Sequence, residues 1–251
     1  MNSSELCVVY EGDEYRERAV ALAEHLGVAL RSVADTRLRL ILNSEGLSLS
    51  DGELFMRGDY SSMKKRLTLN NLRTEMLVRA TTIRNAVTPP LIMDATAGMG
   101  EDSLLLAAAG YEVILCEYNP VIAALLDDTL IRMRQDEDLR KTVSRMHLAE
   151  GNCIDILNSQ EIISRPPDII YLDPMFPKRQ KSGLIKKKFQ LLQQLEAPEE
   201  DGGRMLEAAM ERALKRIVIK RPAKAPYLGD IKPDYSIKGS SVRYDCINLI
   251  R

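Results

Sequence analysis

Residues 168–183, DIIYLDPMFPKRQKSG, bring an acid, an aromatic ring and several cations within a few positions of one another. The apolar run before Asp173 is typical of a buried strand. Two prolines enclose Met175 and Phe176, and because proline fixes φ and disfavours the helical region for the residue before it, they predict a stiff, extended loop. A carboxylate and an exposed ring in such a loop have the chemistry to accept hydrogen bonds from an amine-bearing base and to stack on it.

A second candidate site is DATAGMGEDS at 94–103, which follows another apolar strand and leads into a helix. Backbone can approach a ligand closely at Gly98 and Gly100, and a helix N-terminus presents free N–H groups. A dinucleotide site would favour a third glycine, but Ser103 stands at that position. The two acids that directly follow Gly100 would repel a pyrophosphate, whereas they suit a ligand with an amine and a sulfonium, such as S-adenosylmethionine.

Glu117 strengthens this interpretation because it stands at the end of the next predicted strand, at 112–118. An acid at this place in nucleoside-binding α/β folds accepts hydrogen bonds from ribose hydroxyls. The alternative is an ordinary tight turn at Gly98 and Gly100 followed by a solvated acid, and it stays open because glycine motifs alone give false positives.

The pattern of the whole chain predicts two units. In residues 1–62 a strand, a helix at about 13–26 and three alternating segments predict a small α+β unit with an antiparallel meander. Residues 63–251 alternate strands and helices from 91 onward and end in two alternating segments, which predicts a mostly parallel α/β sheet with a terminal antiparallel hairpin. This is the arrangement of Rossmann-like class I methyltransferases. Ligands bind at the carboxyl ends of the strands in such a sheet, so we expect DPMFP to lie beside the glycine loop.

The composition narrows the function classes. Of the 251 residues 28% are charged and the formal net charge is −1, so any nucleic-acid binding must depend on local patches. Four cysteines without C-x-x-C spacing and only two histidines predict neither a metal site nor a disulfide scaffold. We find no signal-peptide pattern and no run of about 18 apolar residues, so we expect a cytoplasmic protein without a membrane partner.

DPMFP resembles the D/N-P-P-Y/F/W motif of methyltransferases that act on exocyclic amines, with Met175 in place of the second proline. By this resemblance, Asp173 and the Pro174 carbonyl would accept hydrogen bonds from the target amine, and Phe176 would stack on the base. Acceptors that hold both N–H bonds direct the amine lone pair toward the methyl group. The cations that follow would contact nucleic-acid phosphates; they are Lys178, Arg179, Lys181, Lys186 and Lys187.

Four longer segments are similar to the bacterial small-subunit ribosomal RNA methyltransferase J family: DATAGMGEDSLLLAAAGYEV, CEYNPVIAALLDD, YLDPMFPKRQKSGLIKK and IVIKRP. The resemblance covers most of residues 63–251 and implies methylation of the exocyclic N2 of a guanine in that RNA or in the assembled subunit. It also implies further residues of an S-adenosylmethionine pocket beside Asp94, Gly98 and Gly100; these are Glu101, Asp102, Glu117, Tyr118, Asn152, Cys153 and Asp173. The family often has small hydroxyl residues where this chain has Asn152 and Cys153.

Several alternatives stay open on the sequence alone. The same chemistry could serve adenine N6 or a protein amide, and a non-catalytic RNA-binding protein could keep the same fold. An NAD-dependent dehydrogenase is disfavoured by the missing third glycine. Locally, Phe176 could be a core residue, Asp173 a turn cap, and the basic run an ordinary solvated face.

Overall fold

The computed structural model describes residues 6–32, 36–84, 86–174, 191–192, 195 and 202–249. These residues form two β-sheets with helices packed against them. The predicted stacking residue Phe176 and all of the predicted RNA-binding cations lie outside the described residues; the cations are Lys178, Arg179, Lys181, Lys186 and Lys187.

The amino-terminal part of the chain forms a five-stranded sheet in the order β2-β1-β3-β4-β5. Its elements are β1 (Leu6–Tyr10), α1 (Arg16–Leu26), β2 (Ala29–Leu30), β3 (Leu38–Asn43), β4 (Gly46–Ser50) and β5 (Phe55–Arg57). Strands β3, β4 and β5 pair antiparallel, which confirms the predicted meander. Strand β1 pairs in parallel with β2 and β3, an arrangement that needs a crossover, and α1 is part of it.

The rest of the chain forms a seven-stranded sheet in the order β11-β12-β10-β9-β6-β7-β8. Its strands are β6 (Leu91–Asp94), β7 (Glu112–Glu117), β8 (Met146–Glu150), β9 (Ile169–Leu172), β10 (Arg216–Pro222), β11 (Tyr235–Lys238) and β12 (Val242–Asn248). Pairing is parallel from β10 to β8 and antiparallel between β10, β12 and β11. The predicted parallel sheet with a terminal hairpin is therefore confirmed.

Helices cover both faces of this sheet. They are α2 (Leu69–Leu72), α3 (Met76–Thr81), α4 (Glu101–Ala108), α5 (Pro120–Met133), α6 (Arg140–Val143), α7 (Cys153–Leu157), α8 (Gln160–Ser164) and α9 (Gly202–Arg212). In β6, Ile92 packs into the cluster beneath α4, and Met93 packs into the cluster beneath α9 on the opposite face. Because both faces are buried, the central strands read as continuous apolar runs rather than alternating ones.

Two helix boundaries differ from what the sequence predicts. The sequence predicts one short helix near 155–164, but the structure has α7 and α8 there, because the side chain of Ser159 accepts a hydrogen bond from the backbone N–H of Ile162 and begins a new helix. It also predicts a helix that ends near residue 85, whereas α3 ends at Thr81. The sequence predicts Asn119 as the N-cap of α5, and the structure confirms this, since Asn119 accepts from the N–H groups of Val121 and Ile122.

A buried carboxylate joins the two sheets. Asp128 of α5 accepts a hydrogen bond from Arg18 of α1 at 2.7 Å and one from Arg132 at 2.7 Å. Arg132 also donates to the Gly58 carbonyl at 2.7 Å, just beyond β5. Apolar residues of α5 share a core cluster with the five-stranded sheet. The predicted division of the chain at residue 62 stays a prediction, and the contacts of α5 explain why the small unit need not supply a whole core by itself.

We expect Asp128→Asn to lower the free energy of unfolding by about 2–3 kcal/mol, because the substitution leaves two arginines without their shared counter-charge. Urea denaturation monitored by circular dichroism measures this change. The matched control is Asp127→Asn, since Asp127 is exposed on the same helix and should tolerate the change with little loss. Equal effects at the two positions would contradict the assigned role of Asp128.

Candidate active site

The glycine loop is supported from beneath by Asp94, the last residue of β6. This carboxyl is buried, and it accepts hydrogen bonds from the Thr96 N–H at 3.1 Å and from the Ser103 hydroxyl at 2.5 Å. Burial raises the pKa of Asp94 to about 7, and the hydrogen bond from Ser103 opposes the shift. Ser103, which replaces the third glycine of a dinucleotide motif, thus ties the first turn of α4 to the end of β6.

The two glycines of the loop serve different purposes. Both have positive φ, 54° at Gly98 and 74° at Gly100, which favours glycine at either position. A Cβ atom at Gly100 would lie 2.6 Å from the Tyr60 hydroxyl, which donates to the Met99 carbonyl at 2.8 Å. A Cβ atom at Gly98 would meet no described atom within 4 Å beyond its chain neighbours. Gly100 is therefore needed for internal packing, while the backbone at Gly98 borders open space.

Glu117 at the end of β7 holds the other side of this loop. Its carboxylate accepts hydrogen bonds from the Gly98 N–H at 2.9 Å and from the Asn119 N–H at 2.8 Å. Tyr118 follows and is exposed. The carbonyl of Glu117 accepts from the Gly151 N–H at 2.8 Å, which brings the residues after β8 to the same edge of the sheet.

Asn152 and Cys153 begin helix α7 at this edge. The Asn152 side chain accepts a hydrogen bond from the Ile154 N–H at 2.8 Å and so caps the helix, and Cys153 is buried. Asparagine is a favoured capping residue, which gives it a structural reason to stand at this position whatever else it contacts.

Lys220 lies between two acids at the carboxyl edge of the sheet. Its ammonium contacts Asp102 of α4 at 2.7 Å and Asp173, just after β9, at 2.8 Å. The Tyr171 hydroxyl donates to the same oxygen of Asp102 at 2.6 Å. The backbone N–H of Asp173 donates to the Thr96 hydroxyl at 2.7 Å, so the acid of DPMFP is bonded directly to the glycine loop.

The charged groups of this cluster shift one another's pKa values. Burial acts to lower the pKa of Lys220, but Asp102 and Asp173 outweigh burial and raise it. Burial raises the pKa of Asp173, and the nearby Lys220 partly opposes this. Burial also raises the pKa of Tyr171, so its hydroxyl stays protonated and acts as a donor. The result is a fixed ammonium that links the cofactor-loop helix to the DPMFP loop.

The structure brings most of the predicted site residues together. It changes the interpretation of Asp102 and adds Lys220 to the site. Asp102 was expected to be an uncompensated acid that meets a cationic ligand, whereas it is paired with Lys220 and Tyr171, which project from two neighbouring strands. Lys220 had no predicted role. The signal was present in IVIKRP, since a lysine near the end of a strand beside DIIYLDP must lie close to Asp173 if the two strands are parallel neighbours.

Comparison with known proteins defines the class of protein to which this chain belongs. Residues 22–248 match the family model described as "Putative SAM-dependent methyltransferase". A crystal structure of a SAM-dependent methyltransferase from Neisseria gonorrhoeae superimposes with a TM-score of 0.72 at 26% identity, covering 96% of this chain and 95% of that one. With the strand order and the glycine loop, these similarities identify a Rossmann-like class I methyltransferase that uses S-adenosylmethionine.

Closer relatives identify the family. The ribosomal RNA small subunit methyltransferase J of Thioalkalivibrio sulfidiphilus is 42% identical over 98% of both chains. The protein of the same name from Dechloromonas aromatica is 40% identical over 93% of this chain and 96% of its own length. The present chain belongs to the ribosomal RNA small subunit methyltransferase J family. The predicted family, enzyme class and cofactor are confirmed, and the dehydrogenase and non-catalytic alternatives are set aside.

Two further findings concern only the part of the chain that the structure describes. Within those ranges, no group of three or more histidine, cysteine, aspartate or glutamate side chains is arranged to hold a metal ion. Among the same residues, no helix has the length and apolar character required to cross a bilayer.

The raised pKa of Asp94 predicts a pH dependence of stability. Between the ordinary value of 3.8 and the folded value of about 7, the folded state keeps a proton that the unfolded state has released. Stability should therefore fall as pH rises from about 4 to 7, by up to about 1.4 kcal/mol per pH unit relative to Asp94→Asn, which cannot titrate, and it should level off above pH 7. Urea unfolding of both proteins across this range measures the difference, and parallel curves would disprove the assignment.

Proposed function

We propose that this protein transfers the methyl group of S-adenosylmethionine to the exocyclic N2 of a guanine in small-subunit ribosomal RNA, in the cytoplasm. The observation that carries the proposal is the hydrogen bond between the Asp173 backbone and Thr96, because it joins the acid of DPMFP to the glycine loop. The names of the relatives support ribosomal RNA as the substrate. The resemblance described above supports guanine N2.

The cofactor pocket we propose lies along the carboxyl edge from β6 to β8. Gly98 would let the cofactor approach the loop backbone most closely, since the space that a side chain would fill there is open. Glu117 already accepts two backbone N–H groups, and a carboxylate has further lone pairs for ribose hydroxyls. Exposed Tyr118 and the residues at the start of α7 would border the adenine. The other predicted contacts are Gly100, Glu101, Asp102, Asn152, Cys153 and Asp173, with Asp94 acting from beneath the loop.

Asp173 is the residue we assign to the target amine. S-adenosylmethionine supplies an electrophilic methyl group when bound. Oδ2 of Asp173 is bonded to Lys220, so we assign Oδ1 as the atom that accepts an N–H of the amine and takes the proton that the nitrogen loses. Pro174 would add its carbonyl as a second acceptor, and Phe176 would stack on the base.

Lys220 is a positioning residue in this mechanism. Two aspartates this close would repel each other and favour protonation of one of them. The ammonium between them opposes the rise that burial causes in the pKa of Asp173. It also directs one oxygen of Asp173 away from the base, which leaves the other for the amine. Arg221 also acts to lower the pKa of Asp173, whereas Asp102 acts to raise it.

The test of the proposed function is methyl transfer to small ribosomal subunits that lack their native methylation. Labelled S-adenosylmethionine is supplied, and the nucleosides of the RNA digest are identified by mass spectrometry. We expect N2-methylguanosine from the wild type and at least a roughly 100-fold slower reaction from Asp173→Asn, because the amide cannot accept the proton. Label on N6-methyladenosine or on protein would replace the proposed target with one of the alternatives.

Lys220→Met should lower kcat/KM by roughly 100-fold at pH 7, since Asp173 then loses both its orientation and its nearest cation. The pKa of Asp173 should rise further in the variant, so the deficit should shrink as pH increases toward 9. A pH profile of wild type and variant measures this.

The matched control is Lys215→Met, because Lys215 pairs with Asp168 at 2.7 Å near the opposite end of β10. Its profile should follow the wild type. A Lys220→Met deficit that stays constant with pH would show that the lysine does not control ionisation of Asp173.

A further inference from the structure

A short loop after β10, residues 223–227, is held by a buried arginine of the neighbouring strand. Arg243 of β12 bonds Asp245 at 2.9 and 3.0 Å. The same guanidinium donates to the carbonyls of Pro222 at 3.1 Å, Ala223 at 3.1 Å and Ala225 at 2.8 Å. Asp245 thus holds Nε of this arginine, while its two terminal nitrogens donate to backbone carbonyls between residues 222 and 226.

A second arginine reinforces the same loop. Arg221, also buried, donates to the Pro226 carbonyl at 3.3 and 3.1 Å. Arg243 and Asp245 are only 5% and 2% exposed, and removing such charges from water is costly. A surface segment that only leads from β10 into the short 3-10 helix at Leu228–Asp230 does not need this support. A loop kept in one conformation is, however, well suited to binding, because little entropy is lost when a ligand arrives.

The loop displays an aromatic ring and a cation. Tyr227 is 40% exposed, and the Arg243 guanidinium lies 5.1 Å from the centre of its ring. Lys224 is exposed in the same loop. A ring held against a guanidinium on one side is a rigid platform for stacking, and a nearby ammonium suits a phosphate.

The position of the loop connects it with the proposed reaction. Strands β9 and β10 are parallel neighbours, so the residues that follow them leave the sheet at the same edge. A Cβ atom at Gly202 would lie 2.9 Å from Leu228 and 3.9 Å from Pro174, which places the residue after Tyr227 close to the DPMFP loop. The loop that carries the exposed ring therefore borders Pro174 of DPMFP, the loop to which we assign the target base.

We propose that Tyr227 stacks on an unpaired base of the RNA substrate, with Lys224 contacting the adjacent phosphate. The proposal rests on the proposed function in one respect, namely that the partner is RNA. Single-stranded RNA is the partner that fits, because base stacking on an aromatic ring is its main sequence-tolerant contact. Phe176 is assigned to the target base itself, whereas Tyr227 would hold a neighbouring one.

The chain contains a matched control for this arrangement. Tyr235 is 38% exposed and lies 5.7 Å from the guanidinium of Arg216, so it is also an exposed tyrosine next to an arginine. Arg216 is the first residue of β10, at the opposite edge of the sheet from the DPMFP loop. A tyrosine next to an arginine is thus not by itself a binding site. Tyr227 differs from Tyr235 in its location near the DPMFP loop.

The experiment measures RNA affinity apart from turnover. Filter binding with a small-subunit ribosomal RNA transcript should give a Kd raised roughly 10-fold for Tyr227→Ala and changed less than about 2-fold for Tyr227→Phe. Tyr235→Ala should bind as the wild type does. Lys224→Ala should reduce the dependence of log Kd on log salt concentration by about one ion. Thermal melting and S-adenosylmethionine binding confirm that each variant is folded.

Three results would overturn the proposal: unchanged RNA affinity in folded Tyr227→Ala, an equal loss in Tyr235→Ala, or an equal loss in Tyr227→Phe. The last would mean that the hydroxyl, not the ring, makes the contact. A wild type that binds the transcript through Tyr227 but makes no N2-methylguanosine would refute the proposed function while leaving the stacking role intact. If a protein substrate bound with the same dependence on Tyr227 and RNA did not bind, the partner would be a protein instead of RNA.

Discussion

The site depends on one half-buried ammonium placed between two carboxylates. Asp94, Asp102 and Asp173 converge at the carboxyl edge of the seven-stranded sheet, and without a cation their mutual repulsion would favour protonation or separation. Lys220 reaches both Asp102 and Asp173 from the strand beside β9. Because Asp102 lies in the first turn of the helix after the glycine loop and Asp173 begins the DPMFP loop, this single side chain sets the distance between the proposed cofactor and substrate sites.

Carboxylates also hold the loops that surround this ion pair, and they do so through backbone amides. Asp94 accepts from Thr96, and Glu117 accepts from Gly98 and Asn119. Carboxylates that accept backbone N–H groups make rigid supports, since charged hydrogen bonds are shorter and stronger than neutral ones. Methyl transfer gains mainly from positioning, so a rigid edge is the property that this chemistry needs.

The amino-terminal sheet contributes to the same edge although it carries none of the predicted site residues. Tyr60 donates to Met99 and fills the space beside Gly100, so the glycine loop is packed against the segment that follows β5. Asp128 and its two arginines fasten α1 and α5 together nearby. A small unit that supports the cofactor loop has a structural role independent of any contact with RNA.

The sequence by itself determined the elements of the α/β sheet and the two motif loops, because periodicity, caps and proline or glycine positions act between near neighbours. It also predicted correctly that DPMFP and the glycine loop meet, since parallel strands place their carboxyl ends on one edge. Only the tertiary structure decided the partners of Asp102 and the orientation of the 223–227 loop. Lys220 and Asp102 are 118 residues apart, and no local pattern records that the end of β10 comes within hydrogen-bonding distance of the first turn of α4.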